Sequence, residues 1–192
     1  KSTQAKKLYT KLSSINRISV LTREPGGSPG AEEIRHLLVK GEVTRWSAET
    51  EILLFTAARR DHLERTILPA IKEGKIVISD RFFDSTRIYQ GAARSDLISI
   101  VDQLHKLVID IVPDLTFIID MEPKIALKRG LARKSGEDRF EEFGEPFQEK
   151  IRHGFINLAM KEKERCFLID GAQDQEIIAD EIFAICSKNF NG

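Results

Sequence analysis

The stretch KIVISDRFFDSTRIYQG, residues 75–91, decides the fold of this 192-residue chain. Its apolar, β-branched run at 76–78 is typical of a strand that is buried on both faces of a parallel sheet covered by helices. The run leads into Asp80 and Arg81, an acid and a base at the strand's carboxyl end. Because that end of a strand faces the ligand crevice in open α/β sheets, we expect both side chains to lie in a binding site.

The residue types that follow the strand favour phosphate chemistry. The carboxylate of Asp80 can hold Mg²⁺, and the guanidinium of Arg81 can grip a phosphate with two parallel hydrogen bonds. A helical turn would then aim further hydrogen-bonding groups near the same crevice: Ser85, Thr86, Tyr89 and Gln90. The alternative interpretation is a strand end capped by a surface ion pair.

Composition excludes several classes of protein. Lys plus Arg equals Asp plus Glu at 30 each, so the net charge is zero, which argues against a general binder of nucleic acid or membrane surfaces. No apolar run approaches the roughly 20 residues of a membrane span, and no signal peptide is visible. Cys166 and Cys186 sit among apolar residues, so we expect buried thiols rather than a bridge or a metal pair. These features predict a cytoplasmic protein.

The chain opens with Lys1-Ser2-Thr3, followed at once by a helical pattern. Lys-Ser-Thr at a helix start matches the end of the phosphate loop GxxxxGK[ST], in which the lysine reaches phosphate oxygens and the hydroxyl binds Mg²⁺. The match is short, but it comes first in an α/β pattern, where such loops belong. We therefore expect about a dozen further residues upstream, enough for one strand and the glycines of the loop.

Further strands and helices alternate along the chain. The sequence predicts strands at 17–22, 115–119 and 166–169 and helices at 29–38, 47–72, 96–110, 146–164 and 175–188. The strand at 17–22 runs into the charged turn REPGG at 23–27, which can also be an ordinary turn. Apolar strands alternating with helices predict a parallel three-layer α/β/α sandwich.

Two other features have a functional and a structural interpretation. Phe55 and Arg59 lie four residues apart in the 47–72 helix, so they share one face. The pair can be ordinary core and surface, or a ring that stacks on a base beside a cation for its phosphate. The charged run at 128–142 can be a solvated loop, or a mobile lid whose arginines close over transferring phosphates.

Four segments together resemble the bacterial thymidylate kinases, which phosphorylate dTMP with ATP. They are TREPGG (22–27), SDRFFDSTRIYQG (79–91), PDLTFIID (113–120) and ALKRGLARKSGEDRFEE (126–142). The resemblance extends from residue 1 to about residue 188. It implies a single domain over 1–192 with a lid at about 130–142, and a five-stranded parallel sheet whose central strand precedes Lys1. It also implies a homodimer packed through helices, for which the 47–60 and 96–109 helices could serve.

The resemblance also implies roles for individual residues. For ATP and Mg²⁺ these are Lys1, Ser2 and Thr3 at the phosphate loop, Asp80 with Ser2 at the metal, and Arg129 beside adenine. For the phosphate of dTMP they are Glu24 and Pro25 near it, and Arg59 and Arg81 bound to it. For thymine, Phe55 stacks on the ring, and its polar edges meet Arg35, Ser85, Thr86 and Gln90. Tyr89 lies against the sugar. Lys1, Arg81, Arg133 and Arg139 would stabilise the transferring phosphoryl group.

Two rival functions stay open at this point. One is a different nucleoside monophosphate kinase or a deoxynucleoside kinase, which would need other base-contacting residues than Phe55 and Gln90. The other is a nucleotide-binding protein without turnover. Arg81, Asp80 and the arginines of the lid speak against the second, because a protein that only binds does not need them all.

Overall fold

The computed structural model describes residues 1–42, 44–126 and 144–189. In chain order its elements are α1 (Ser2–Ser14), β1 (Ser19–Arg23), α2 (Pro29–Val39), α3 (Ala48–His62), a π-helical segment (Leu63–Ile67), α4 (Leu68–Lys72), β2 (Ile76–Asp80), α5 (Phe83–Ala93), α6 (Leu97–Val108), β3 (Thr116–Asp120), α7 (Glu145–Lys161), β4 (Cys166–Asp170) and α8 (Gln175–Asn189). Residues 123–126 are also helical. The predicted alternation of strands and helices is confirmed.

The strands of the described residues form two parallel pairs. β1 pairs with β2 in a register that sets Arg23 opposite Asp80, and β3 pairs with β4 so that Asp120 lies opposite Asp170. Each pair is joined through helices, as parallel strands require. The α/β class with parallel strands is therefore confirmed, while the five-stranded sheet stays a prediction.

The main hydrophobic core joins both strand pairs to the two terminal helices. Its buried members come from α1, β2, β4 and α8, and they are Leu8, Leu12, Ile78, Ile169, Ile178, Ile182 and Cys186. The apolar period of α1 sets Leu8 and Leu12 on one face, as the sequence predicts. Both cysteines are buried free thiols, which confirms that interpretation.

The expectation that the 76–78 strand is buried on both faces is wrong in part. Of these three residues only Ile78 is buried, and Ile76 and Val77 are half-buried. Among the described residues β2 pairs with β1 alone. Its apolar residues still pack into hydrophobic clusters, and its carboxyl end is placed as predicted.

The long helix predicted from Ser47 consists of three successive helical segments. Ser47 caps α3 by accepting a hydrogen bond from the Thr50 N–H at 3.1 Å. The π-helical segment follows His62 directly, and α4 begins at Leu68 with a proline in its first turn. None of the helices in the described parts of the chain is long and apolar enough to cross a membrane.

Candidate active site

The carboxyl ends of β1 and β2 bring two of the charged segments side by side. The Glu24 N–H donates to the Asp80 carbonyl oxygen at 2.9 Å, which continues the strand register by one step. The turn that follows β1 therefore starts beside the Asp80–Arg81 pair. The family resemblance implies the same proximity, because it assigns Glu24 and Arg81 to one phosphate.

A glycine lets the turn after β1 fold back over α3. Gly27 has φ +88°, and a Cβ on it would lie 2.4 Å from His62 Nε2 and 2.5 Å from Thr22 Oγ1. A side chain at this position would therefore collide with the His62 ring and the Thr22 hydroxyl as well as strain the backbone. Thr66 fixes the turn from the other side by donating to the Gly27 carbonyl at 2.7 Å.

Carboxylates fix the passage from this turn into α2. The Glu32 carboxylate accepts the Gly27 N–H at 3.0 Å and pairs with Arg23. Partial burial alone would raise the pKa of Glu32, but these two hydrogen bonds outweigh it and lower that pKa. Asp61 accepts from the Ser28 hydroxyl at 2.6 Å, and this bond together with Arg65 lowers the pKa of Asp61.

Beneath the turn lies a polar cluster of the buried Glu24, Arg59, His62 and Thr86 together with the half-buried Thr22. Arg59 donates from Nε to Glu24 Oε2 at 2.7 Å and from a terminal nitrogen to Thr86 Oγ1 at 3.0 Å. His62 Nδ1 lies 3.1 Å from Glu24 Oε1, and its Nε2 lies 2.7 Å from Thr22 Oγ1. A carboxylate paired with a guanidinium only accepts, so Nδ1 carries the hydrogen, and every member of this cluster is bonded.

The face of α3 that carries Phe55 and Arg59 also carries Glu51, one turn further toward the start of the helix. These residues follow an i, i+4, i+8 spacing and lie against α5, where Thr86 and Gln90 are four residues apart. Arg59 bonds Thr86, and Gln90 Nε2 donates to Glu51 Oε2 at 2.9 Å. The two bonds fix the alignment of α3 with α5. The half-buried Phe55 lies on α3 one turn from Glu51 and one turn from Arg59.

Arg81 is held in an uncommon backbone conformation just after β2. Its φ is +75°, which is costly for a residue with a side chain and is found most often at functional sites. Its guanidinium carbon lies 5.0 Å above the ring centroid of Tyr89, and a terminal nitrogen donates to the Tyr89 hydroxyl at 3.3 Å. Tyr89 thus orients the cation that the sequence assigns to a phosphate.

The start of α1 lies at the end of β2, although 78 residues separate them along the chain. The Ser2 hydroxyl donates to Asp80 Oδ2, and Asp80 Oδ1 is buried without a hydrogen-bond partner among the described residues. Those residues contain no group of three or more carboxylate, imidazole or thiol side chains that could enclose a metal. One carboxylate and one hydroxyl fit Mg²⁺, which takes few protein ligands and completes its shell with water and phosphate oxygens.

The remaining predicted residues fall into two groups. Lys1 is the N-cap of α1, Thr3 lies in its first turn, and Ser85 lies in the first turn of α5. Arg35 donates to the Pro25 carbonyl at 2.5 Å, so it lies on the turn instead of being solvated. Three predicted arginines lie outside the described residues, together with the lid: Arg129, predicted beside adenine, and Arg133 and Arg139, predicted to stabilise the transferring phosphoryl group.

Three members of the site were not predicted from the sequence: Thr22, Glu51 and His62. His62 follows Arg59 by three residues and Glu51 precedes Phe55 by four, so the helical period of α3 places both on or beside the face of Phe55 and Arg59. That period was the available signal. It could not show which turn and which helix would face them.

Comparison with known proteins gives one consistent family. The family model described as "Thymidylate kinase" matches residues 1–182. The thymidylate kinase of Dinoroseobacter shibae is 62% identical over 184 residues, which cover 96% of this chain and 89% of that protein. That of Ruegeria pomeroyi is 54% identical over 191 residues, covering 100% of this chain and 90% of the relative.

The fold matches as well. The crystal structure of thymidylate kinase from Ehrlichia chaffeensis superposes with a TM-score of 0.76 at 36% sequence identity. The match covers 97% of this chain and 91% of that one. The similarity therefore extends over nearly the whole length of both proteins.

Proposed function

The chain belongs to the thymidylate kinase family and phosphorylates dTMP to dTDP, and we propose that it does so with the γ-phosphoryl group of ATP at the site described above. The observation that carries the proposal is the meeting of two arginines, one aspartate and the start of α1 at the ends of β1 and β2. Phosphoryl transfer requires little covalent chemistry from the protein. Its task is to align two polyanions and to neutralise the charge between them.

The acceptor phosphate lies, in this proposal, against Arg81 and Arg59. Arg81 is fixed by Tyr89, and Arg59 is fixed by Glu24 and Thr86, so both guanidinium groups are oriented before substrate arrives. Donors fixed in advance cost no reorganisation when charge develops. The turn that carries Glu24 and Pro25 lies along one side of the phosphate position.

The base of dTMP lies between α3 and α5 in the same proposal. Phe55 stacks on thymine, and the polar edge of the ring meets side chains from α2 and α5; these are Arg35, Ser85, Thr86 and Gln90. Tyr89 lies against the sugar. The half-burial of Phe55 beside the fixed polar groups of α5 supports this placement.

The donor ATP lies at the start of α1 in this proposal. Lys1, Ser2 and Thr3 meet its phosphates, where a helix N-terminus favours anions. Asp80 and Ser2 would hold Mg²⁺, which when bound neutralises phosphate charge. Arg129 beside adenine and the lid arginines Arg133 and Arg139 belong to the proposal on the resemblance alone.

The proposal extends to architecture and assembly. Residues 1–192 belong, in this proposal, to one domain with a lid at about 130–142 and a three-layer fold built on a five-stranded parallel sheet. The two parallel pairs support this, because β2 and β3 contribute to one hydrophobic core. A homodimer is supported by exposed leucines on α3 and α6, where Leu53 is 59% and Leu107 is 79% exposed. The site of action is the cytoplasm, since both substrates are nucleotides of the cell interior.

The experiment that tests this function is a coupled assay for ADP release with ATP and Mg²⁺. We expect turnover with dTMP, weaker turnover with dUMP, and little with dCMP or thymidine. ADP release that does not depend on any nucleoside monophosphate would contradict the proposal. Equal rates with dTMP and thymidine would point instead to a nucleoside kinase.

A further inference from the structure

Glu51 forms a buried polar pair with Gln90, and the proposed function gives Glu51 itself no role. Glu51 is 5% and Gln90 is 2% exposed, and the Nε2 of Gln90 donates to Glu51 Oε2 at 2.9 Å. Buried polar side chains at this depth are costly unless their bonding is matched. The hydrogen bond between the two side chains therefore fixes the position of the Gln90 amide.

The bond determines which way the amide of Gln90 is turned. A carboxylate offers only acceptors, whereas an amide has an acceptor end and a donor end. Turning the amide by 180° would place Oε1 against the Glu51 carboxylate, two buried acceptors with no hydrogen between them. That arrangement loses a charge-assisted hydrogen bond and sets two acceptors against each other, so Nε2 stays on the side of Glu51.

The orientation of the amide decides which pyrimidine it can read. The outer edge of the amide offers Oε1 as acceptor and the second Nε2 hydrogen as donor. Thymine presents the complementary pair, the N3–H donor and the O4 acceptor. Cytosine presents the reverse, an N3 acceptor and an exocyclic amino donor, and would need the amide turned by 180°.

We infer that Glu51 is a positioning residue that selects thymine over cytosine by holding the Gln90 amide in the thymine-reading orientation. The inference rests on the proposed function, in which Gln90 meets the base. The position of the pair supports it. Glu51 lies one turn from Phe55, on the face of α3 that packs against α5, and the Arg59–Thr86 bond fixes the same two helices one step further along.

The test compares the ratio of kcat/KM for dTMP to that for dCMP in wild type and in Glu51→Gln. The substitution keeps the shape of the side chain but adds a donor, so the amide of Gln90 can bond it in either orientation. We expect the ratio to fall at least ten-fold, through a loss with dTMP and a gain with dCMP. A merely structural role would lower both rates together and leave the ratio unchanged.

The matched control is Glu49→Gln, which makes the same chemical change two residues away on the exposed side of α3. Glu49 pairs with Arg94 at 2.6 Å, and both side chains are about half exposed. Its ratio should equal that of wild type. Glu51→Met is a second variant, which fills the volume without an acceptor; the ratio should fall there too, and this variant decides the matter if Glu51→Gln does not fold.

Gln90→Ala separates the inference from the function beneath it. If Gln90→Ala lowers the ratio while the folded Glu51 variants keep it, the positioning role of Glu51 is overturned and base reading by Gln90 stands. If Gln90→Ala also keeps the ratio, Gln90 does not read the base, and both statements fail. A fall in the ratio for Gln90→Ala and for a Glu51 variant supports both.

Discussion

Arg59 and Glu24 form an almost completely buried ion pair, with 2.7 Å between Arg59 Nε and Glu24 Oε2 and side-chain exposures of 4% and 3%. The pair links the last turn of α3 to the turn after β1. A buried ion pair adds little net stability, because each charge loses its hydration. Its value here lies in orientation, since it fixes a cation beside the proposed phosphate position.

Replacing Arg59 should cost both stability and activity. Arg59→Ala leaves the Glu24 carboxylate buried without its guanidinium, so we expect a loss of about 3–5 kcal/mol in the free energy of unfolding. Urea denaturation followed by circular dichroism measures it. Arg65→Ala is the control, because Arg65 pairs with Asp61 on the surface and should hardly move the midpoint. Equal effects of both substitutions would contradict the burial argument.

Replacing Arg81 should act on kinetics more than on stability. Arg81→Ala removes the proposed phosphate clamp, and we expect kcat/KM for dTMP to fall by two decades or more, about 3 kcal/mol. Arg81→Lys keeps the charge but loses the two-pronged geometry, so its rate should fall between those of wild type and Arg81→Ala. Steady-state rates are measured for variants whose melting temperatures match that of wild type. Near-normal kinetics of Arg81→Ala would refute the assignment.

Asp80 should set the magnesium dependence. Its Oδ1 atom is buried without a partner among the described residues, so the carboxylate has capacity for a cation. Asp80→Asn keeps the shape but removes the charge, and the half-saturating Mg²⁺ concentration should rise about ten-fold or more. Asp170→Asn is the control at another strand end, where Oδ1 already accepts the Ala172 N–H at 2.8 Å. An unchanged magnesium curve in Asp80→Asn would remove Asp80 from the metal site.

The two thiols should be inert in the folded protein. Burial raises the pKa of Cys166 and of Cys186 to about 11, from an ordinary value of 9.0. The neutral thiol is therefore the form that the fold prefers, and its contribution to stability is present below pH 9 and is lost as the pH rises from 9 to 11. At pH 8 Ellman's reagent should react with both thiols only after denaturation. Fast labelling of the native protein would contradict this.

Assembly can be tested at the exposed face of α3. We expect the wild-type chain to elute as a dimer, and Leu53→Glu to shift it toward the monomer, because a charge would then lie in an apolar interface. Met160→Glu is the control, since Met160 is equally exposed but lies on α7. A monomeric wild type in sedimentation measurements would rule the dimer out.

The sequence predicted the positions of strands and helices well, because apolar period and strand-end residues are local signals. It also placed Asp80 and Arg81 at the crevice end of a strand, and the family resemblance added Glu24 to the same phosphate region. It overstated the burial of β2, in which only Ile78 is buried and the other residues are half-buried. Nothing in the local pattern of Leu63–Ile67 distinguished a π-helical segment from ordinary helix.

The polar partners within the core were the part that sequence reasoning missed. His62 bonds Glu24 across 38 residues, and Glu51 bonds Gln90 across 39. A helical period shows which residues share a face, but a partner on a facing turn or helix is chosen by tertiary packing. Buried hydrogen bonds of this kind therefore require the structure.

The cluster around Glu24 also constrains how this protein can change over generations. Arg59 and Glu24 satisfy each other in a space that water does not reach, and His62 and Thr86 are bonded to the same two side chains. A single substitution at either position leaves the charge of its partner buried and unpaired. The fold therefore loses stability before a second substitution can give a new specificity. Descendants with a different acceptor site would have to exchange these residues together, or change the freer side chains around them first.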